Sequence, residues 1–150
     1  MKTKECLKSF EETSIVYCIK VLNNDLFASG TRSGRISIWN VKSGKCANQL
    51  LGHTLWVVGL ELRASSQLIS CSTDKTIRIW EGDFLTSITC VRTLNGHNSW
   101  VNCIKLNSKE ELISGSDDKC IKVWDIKTGE CLKTIQTESS VFSLEFCSIF

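Results

Sequence analysis

Apolar and polar residues alternate along residues 14–21, SIVYCIKV, and the run ends in the turn cluster Asn23-Asn24-Asp25. A period of two puts successive side chains on opposite faces of a strand, so this stretch predicts a half-buried β-strand followed by a tight turn. Strand-like runs at 26–30, 35–41 and 45–51 complete a first group of four, joined by short turns such as Ser43-Gly44. A second group predicts strands at 56–62, 67–72, 76–80 and 88–94, and a third at 100–106, 111–116, 120–126 and 130–136. Residues 5–10 align with the last run of each group and predict a lone leading strand. Residues 141–146, VFSLEF, match the first run and predict a lone trailing one.

The groups are copies of one unit. Residues 94–125 contain a Gly-His pair, two strand-like runs and a third run ending in Trp-Asp. The same order runs from Gly52-His53 to Trp80, and a degenerate copy ends at Trp39. Trp39, Trp80 and Trp124 are 41 and 44 residues apart, while Ile15, Trp56 and Trp100 each lie 24 residues before a closing tryptophan. Spacing inside a copy is therefore fixed, and the variation in length falls between copies. Cys6, Cys46, Cys90 and Cys131 keep register at steps of 40, 44 and 41 residues. The extra residues of the second copy lie in EGDFLTSIT, residues 81–89, and predict a longer connecting loop. Self-similarity at this period marks a repeat architecture.

Gly-His, then Ser-x-Asp, then Trp-Asp or a variant of it, at this spacing, resembles the WD-repeat β-propellers. The resemblance covers nearly the whole chain. It implies an all-β fold of four-stranded blades. Blade one would span 14–51, blade two 56–94 and blade three 100–136. The leading strand at 5–10 and the start of a next blade at 141–146 would flank them. A ring needs at least about four such blades, so the ring is expected to be incomplete, with the remaining blades in a missing part of a longer chain.

Composition narrows the function classes. The formal net charge of +2 gives no reason to expect nucleic acid, and lysines and arginines are scattered among turns and outward strand positions. No apolar run approaches the roughly 20 residues of a membrane helix, and MKTKECLKSFEET has no signal-peptide core. Nine cysteines with no close Cys-x-x-Cys pair argue against a disulfide framework or a metal site, and read as small buried apolar groups in a reducing compartment, cytoplasmic or nuclear. Gly30, Gly34 and Gly115 are expected in hairpin turns with positive φ. No phosphate-cradling GxxxxGK[ST] stretch is present, and no cofactor is expected.

Ser116, His97 and Asp118 together suggest a serine hydrolase. The trio recurs as Ser72, His53 and Asp74, and a nucleophilic site has no use for a second copy 44 residues away. Duplication favours structure over catalysis. The resemblance implies a bond chain from a tryptophan indole through a serine and a histidine to an aspartate: Trp80, Ser72, His53, Asp74, and again Trp124, Ser116, His97, Asp118. Blade one departs from it. Thr31 stands for the serine, Ser33 for the aspartate and Glu12 near the histidine, so at most a bond from Trp39 to Thr31 is expected, in a softer blade.

Loops on a rigid scaffold carry function, and the resemblance implies that partners bind the face where the histidine and aspartate of each blade meet. Ile15, Trp56 and Trp100 precede the innermost strands there, and Arg32, Thr73 and Asp117 precede the acid positions. These six are the candidate partner-binding residues, Trp56 and Trp100 first, because tryptophan is enriched at interface hot spots. Packing between blades is the competing reading of both tryptophans. The expected function is a non-catalytic protein or peptide interaction scaffold that assembles a multiprotein complex. The alternative is the substrate-receptor module of an F-box-type ubiquitin ligase, reading a peptide motif.

Overall fold

A computed structural model describes residues 6–145. Twelve strands form three separate four-stranded antiparallel sheets, each a meander in chain order. The first sheet holds β1 (Val16–Val21), β2 (Leu26–Thr31), β3 (Ile36–Asn40) and β4 (Cys46–Leu50). The second holds β5 (Val57–Arg63), β6 (Gln67–Ser72), β7 (Ile77–Asp83) and β8 (Ser87–Leu94). The third holds β9 (Val101–Leu106), β10 (Leu112–Ser116), β11 (Cys120–Trp124) and β12 (Cys131–Gln136). Each sheet is one blade. The first strands of the blades, β1, β5 and β9, lie side by side on the inner edge. The three described blades do not close a ring.

Two apolar layers hold the blades together. Between blades one and two, Ala28, Ile36 and Ile38 pack with Val57, Leu60, Leu68 and Trp80. Between blades two and three, Ile69, Cys71, Ile77 and Ile79 pack with Val101, Ile104, Leu112 and Trp124. Leu68 and Ile69 are neighbours in sequence and point to opposite layers, as strand alternation requires. The middle blade is therefore apolar on both faces, and β6 is buried along nearly its whole length. Each of these large side chains contributes about 1.5–3 kcal/mol by leaving water. Glu61 of β5 adds a polar tie at the inner edge. It pairs with Lys20 of β1 and, at 3.7 Å, with Lys105 of β9, so one carboxylate joins three blades.

Several expectations need correction. Residues 81–89 are no loop: β7 and β8 run on and pair Gly82 with Ile88 and Asp83 with Ser87. The extra residues satisfy their backbone groups on each other, and Phe84 at the tip folds into the layer between blades one and two. Residues 6–10 carry no strand, and residue 5 lies outside the described residues; a strand needs a hydrogen-bonding neighbour, and none is paired with this segment among the described residues. The segment lies instead against blade one, with Phe10 edge-on to Phe27 and Trp39 and Lys8 Nζ donating to the Val41 and Lys42 carbonyls. Residues 141–145 carry no strand either, and Phe146 lies outside the described residues. Val141 nevertheless donates its N–H to the Ser116 carbonyl at 3.0 Å and packs beside Gly115, as Val57 packs beside Gly30.

Glycines and cysteines also differ from expectation. Gly34 does take a positive φ, 83°, but Gly30 and Gly115 lie inside β2 and β10. What they provide is room. A Cβ at Gly30 would lie 2.5 Å from Cys18 Sγ and 2.7 Å from Val57 Cγ1. Of the cysteines, Cys71 is buried, and Cys18, Cys90, Cys103 and Cys120 are half-buried, but Cys6, Cys46 and Cys131 are exposed. Cys46 and Cys131 open the outermost strands, and both of their side chains face solvent. Their register has a cause: Cys46, Cys90 and Cys131 pair across the ladder with Trp39, Trp80 and Trp124, at a β-bulge in each blade.

Candidate functional site

In blade two the indole N–H of Trp80 donates to Ser70 Oγ at 2.8 Å. Ser70 Oγ meets His53 Nε2 at 2.8 Å, and His53 Nδ1 meets Asp74 Oδ2 at 2.7 Å. Blade three repeats the chain through Trp124, Ser114, His97 and Asp118, with distances of 2.8, 2.7 and 2.8 Å. The carboxylate accepts only, so Nδ1 carries the proton, Nε2 accepts from the serine hydroxyl, and the serine oxygen accepts from the indole. The bonds run in one direction and every member is satisfied.

The serines are Ser70 and Ser114, not the expected Ser72 and Ser116. Trp80 stands opposite Leu68 in the ladder, and its side chain reaches the diagonal neighbour two residues along, Ser70. Ser72 lies two residues further, out of reach of the indole, and accepts the Asp74 backbone N–H at 3.0 Å. Ser116 does the same for Asp118, also at 3.0 Å. They hold the turn that presents the aspartate.

Blade one keeps more of the arrangement than its sequence promised. Trp39 donates to Ser29 Oγ at 2.9 Å, not to Thr31. Glu12 stands at the histidine position and accepts from Arg35 at 2.7 Å, so an ion pair replaces the histidine–aspartate bond. Thr31 turns its hydroxyl to Ser33 and to the Arg35 carbonyl.

The electrostatics fit a structural role. Burial pushes the Asp74 carboxyl upward, but hydrogen bonds from His53 and Thr76 outweigh it and hold the group well below the usual carboxylate range. Asp118 is lowered in the same way: burial raises it, and the Asn98 N–H and His97 overcome that. Burial lowers His97 below an ordinary histidine despite Asp118 beside it, which keeps the ring neutral.

The candidate contact residues fall into pairs. The N–H groups of Arg32, Thr73 and Asp117 donate to the carbonyls of Ile15, Trp56 and Trp100 at 2.8, 3.0 and 3.0 Å. All six therefore gather at one end of the blades. Ile15, Arg32 and Trp100 are exposed, and Trp100 keeps 46% of its surface. Thr73 is corrected: it is buried, with its hydroxyl accepting the Trp56 N–H at 3.1 Å. Asp117 accepts from Asn102 Nδ2 at 2.7 Å.

The sequence did not point to Tyr17. It stacks on Trp56 with ring centres 5.1 Å apart and an interplanar angle of 15°, and Trp56 leads to Trp100 at 6.2 Å. Arg32 reaches from blade one to lie 5.3 Å from the centre of the Trp56 ring. A row of three aromatic rings thus crosses three blades, with an arginine on its middle member. Tyr17 was missed because the register places Val58 and Asn102 at the same position of the other blades, so no periodic signal marks it. The only available signal was that it is the chain's single tyrosine. Among the described residues no group of three His, Cys, Asp or Glu side chains is placed to hold a metal ion, and no helix is long and apolar enough to cross a membrane.

The family profile for the WD domain, G-beta repeat, matches residues 4–40, 44–81 and 88–125. The chain belongs to the WD40 repeat family, whose propellers are in general protein-interaction scaffolds without enzymatic activity. Among solved structures, the WD40 β-propeller domain of Doa1 superposes with a TM-score of 0.78 and 25% identity, over 85% of this chain and 43% of that one. The structure of U3-55K superposes at 0.77 with 22% identity, over 87% of this chain and 42% of that one, and shows the shared fold. Relatives in sequence include a p21-activated protein kinase-interacting protein 1-like protein of Xenopus laevis, 33% identical over 43% of this chain and 18% of its own length. WD repeat and SOCS box-containing protein 1 of Homo sapiens is 43% identical over 37% of this chain and 14% of its own. The aligned stretches span less than a fifth of these relatives.

Proposed function

We propose that this chain is part of a non-catalytic scaffold that holds partner proteins on the propeller face and so assembles a multiprotein complex. One observation carries the reading: the row of Tyr17, Trp56 and Trp100 lies at the end of the blades where the histidine–aspartate pairs close, with Arg32 and Asp117 beside it and Trp100 open to solvent. Rigid aromatic rings give much contact area at little entropic cost, which is why they dominate interface hot spots. The blades beneath fix the row, because each ring sits next to an innermost strand. Affinity capture of the full-length protein from cells, followed by mass spectrometry, tests this. Trp100→Ala loses the captured proteins while the melting temperature stays within a few degrees of wild type. Undiminished capture by both Trp100→Ala and Tyr17→Ala ends the reading for this face.

A second reading, a substrate-receptor module that recognises a peptide motif, is supported by the exposed Arg32 and by similarity to a protein whose name joins WD repeats to a SOCS box. Arginine suits anionic peptide groups. A phosphopeptide array bound by wild type and not by Arg32→Ala favours it; an array bound by neither rejects it.

A further inference from the structure

The repeat register makes Arg32 informative about a place it does not occupy. Arg32, Thr73 and Asp117 are equivalent positions in blades one, two and three, and Ile15, Trp56 and Trp100 are another such set. Arg32 extends sideways from blade one and lays its guanidinium over Trp56 of blade two. The same step from blade two to blade three runs from Thr73 to Trp100. Thr73 is short, buried and tied to the Trp56 N–H, so it brings no cation to Trp100. Trp100 is left exposed, and Asp117 borders it through the bond from its N–H to the Trp100 carbonyl. Asn102 holds one oxygen of the Asp117 carboxylate, and among the described residues no lysine or arginine forms an ion pair with it.

We infer that Trp100 and Asp117 bind an arginine side chain presented by a partner, in the manner in which Arg32 covers Trp56. An indole face attracts a cation through its quadrupole, and a planar, weakly hydrated guanidinium stacks on it better than an ammonium does. Asp117 supplies the counter-charge. The inference rests on the reading that this face binds proteins and names the chemistry recognised there: a peptide whose anchor is arginine.

The test uses the full-length protein labelled with 5-fluorotryptophan, in which single substitutions assign the fluorine resonances of Trp56 and Trp100. The probe is the capped tripeptide Gly-Arg-Gly, with Gly-Lys-Gly and Gly-Gln-Gly for comparison. The arginine peptide shifts the Trp100 resonance to saturation, the lysine peptide binds about threefold more weakly or worse, and the glutamine peptide leaves the resonance in place. Asp117→Asn, which preserves shape and the Asn102 bond, weakens the arginine response about threefold. Arg32→Gln opens Trp56, whose resonance then begins to respond as well. A Trp100 resonance that ignores the arginine peptide, or that moves equally with all three, overturns the inference. If partner capture still depends on Trp100 in that case, the scaffold reading survives without it; if capture is also indifferent to Trp100, both fall.

Discussion

Gly59 of β5 and Cys71 of β6 are cross-strand partners, and they reverse what the other two blades do at the same place. Blade one pairs Cys18 of β1 with Gly30 of β2, and blade three pairs Cys103 of β9 with Gly115 of β10. Each blade therefore carries one sulfur and one bare backbone at this contact, with the order swapped in the middle blade. A Cβ on Gly59 would lie 2.6 Å from Cys71 Sγ, so the site has room for one side chain and not two. Gly59→Cys alone should cost about 1–3 kcal/mol by overpacking. Adding Cys71→Gly should recover most of that loss by restoring the pattern of the neighbouring blades. Denaturant unfolding of the two single variants and the double measures it; a double variant as unstable as the sum of the singles rejects the swap.

Ser70 and Ser72 differ by two residues and should differ clearly in consequence. Ser70→Ala strands both the Trp80 indole N–H and His53 Nε2, while Ser72→Ala removes one acceptor from the Asp74 N–H. Each buried group left unpaired costs about 1–3 kcal/mol. Thermal melts should rank Ser70→Ala below Ser72→Ala, and Ser114→Ala below Ser116→Ala. Equal melts would mean the indole finds another partner.

Acid should act in two stages with the same sign. His97 is lowered in the folded protein, so below about pH 6.5 the unfolded chain takes up a proton that the folded one resists, and stability falls. Asp74 and Asp118 are also lowered, so their contribution is present above about pH 4 and is lost as pH falls further towards their folded values. Unfolding free energy measured from pH 8 to 3 should decline on acidification throughout. His97→Gln should remove part of the first stage; an unchanged slope between pH 7 and 5 in that variant would contradict the assignment.

Thiol reactivity should follow burial. Burial pushes the Cys18 thiol up to about 12 and raises Cys71 and Cys103 as well, and the thiolate is the reactive form. Alkylation at pH 8 with mass-spectrometric mapping should label Cys6, Cys46 and Cys131 first and leave Cys71 until the protein unfolds. Early labelling of Cys71 would show that the layer between blades two and three opens readily.

The innermost strand of blade one is exposed where its counterparts are covered. Ile19 keeps 63% of its surface, whereas the equivalent Leu60 and Ile104 keep 9% and 6%. Exposed apolar strand faces drive association. The 150-residue chain expressed alone should self-associate by light scattering, and Ile19→Lys with Val21→Lys should reduce that. A clean, cooperatively melting monomer of the unmodified chain would contradict it.

Three repeats and their strands were legible in the sequence because they are local and periodic, and the histidine–aspartate pairs followed from the family resemblance those repeats carry. Alternation, turn residues and fixed spacing each depend on a few neighbours in the chain, and three copies reinforce one another. The tertiary structure alone decided which serine meets the tryptophan, because Ser70 and Ser72 point to the same face and only the ladder register and the diagonal reach of the indole distinguish them. It also decided that the extra residues of blade two pair as a hairpin, that Thr73 is buried, and that Tyr17, outside the repeat pattern, stacks on Trp56. The serine, the hairpin and Thr73 depend on how strands pair and turn within one blade, and the stack of Tyr17 on Trp56 depends on how one blade lies against the next, where contacts join residues that no sequence period connects.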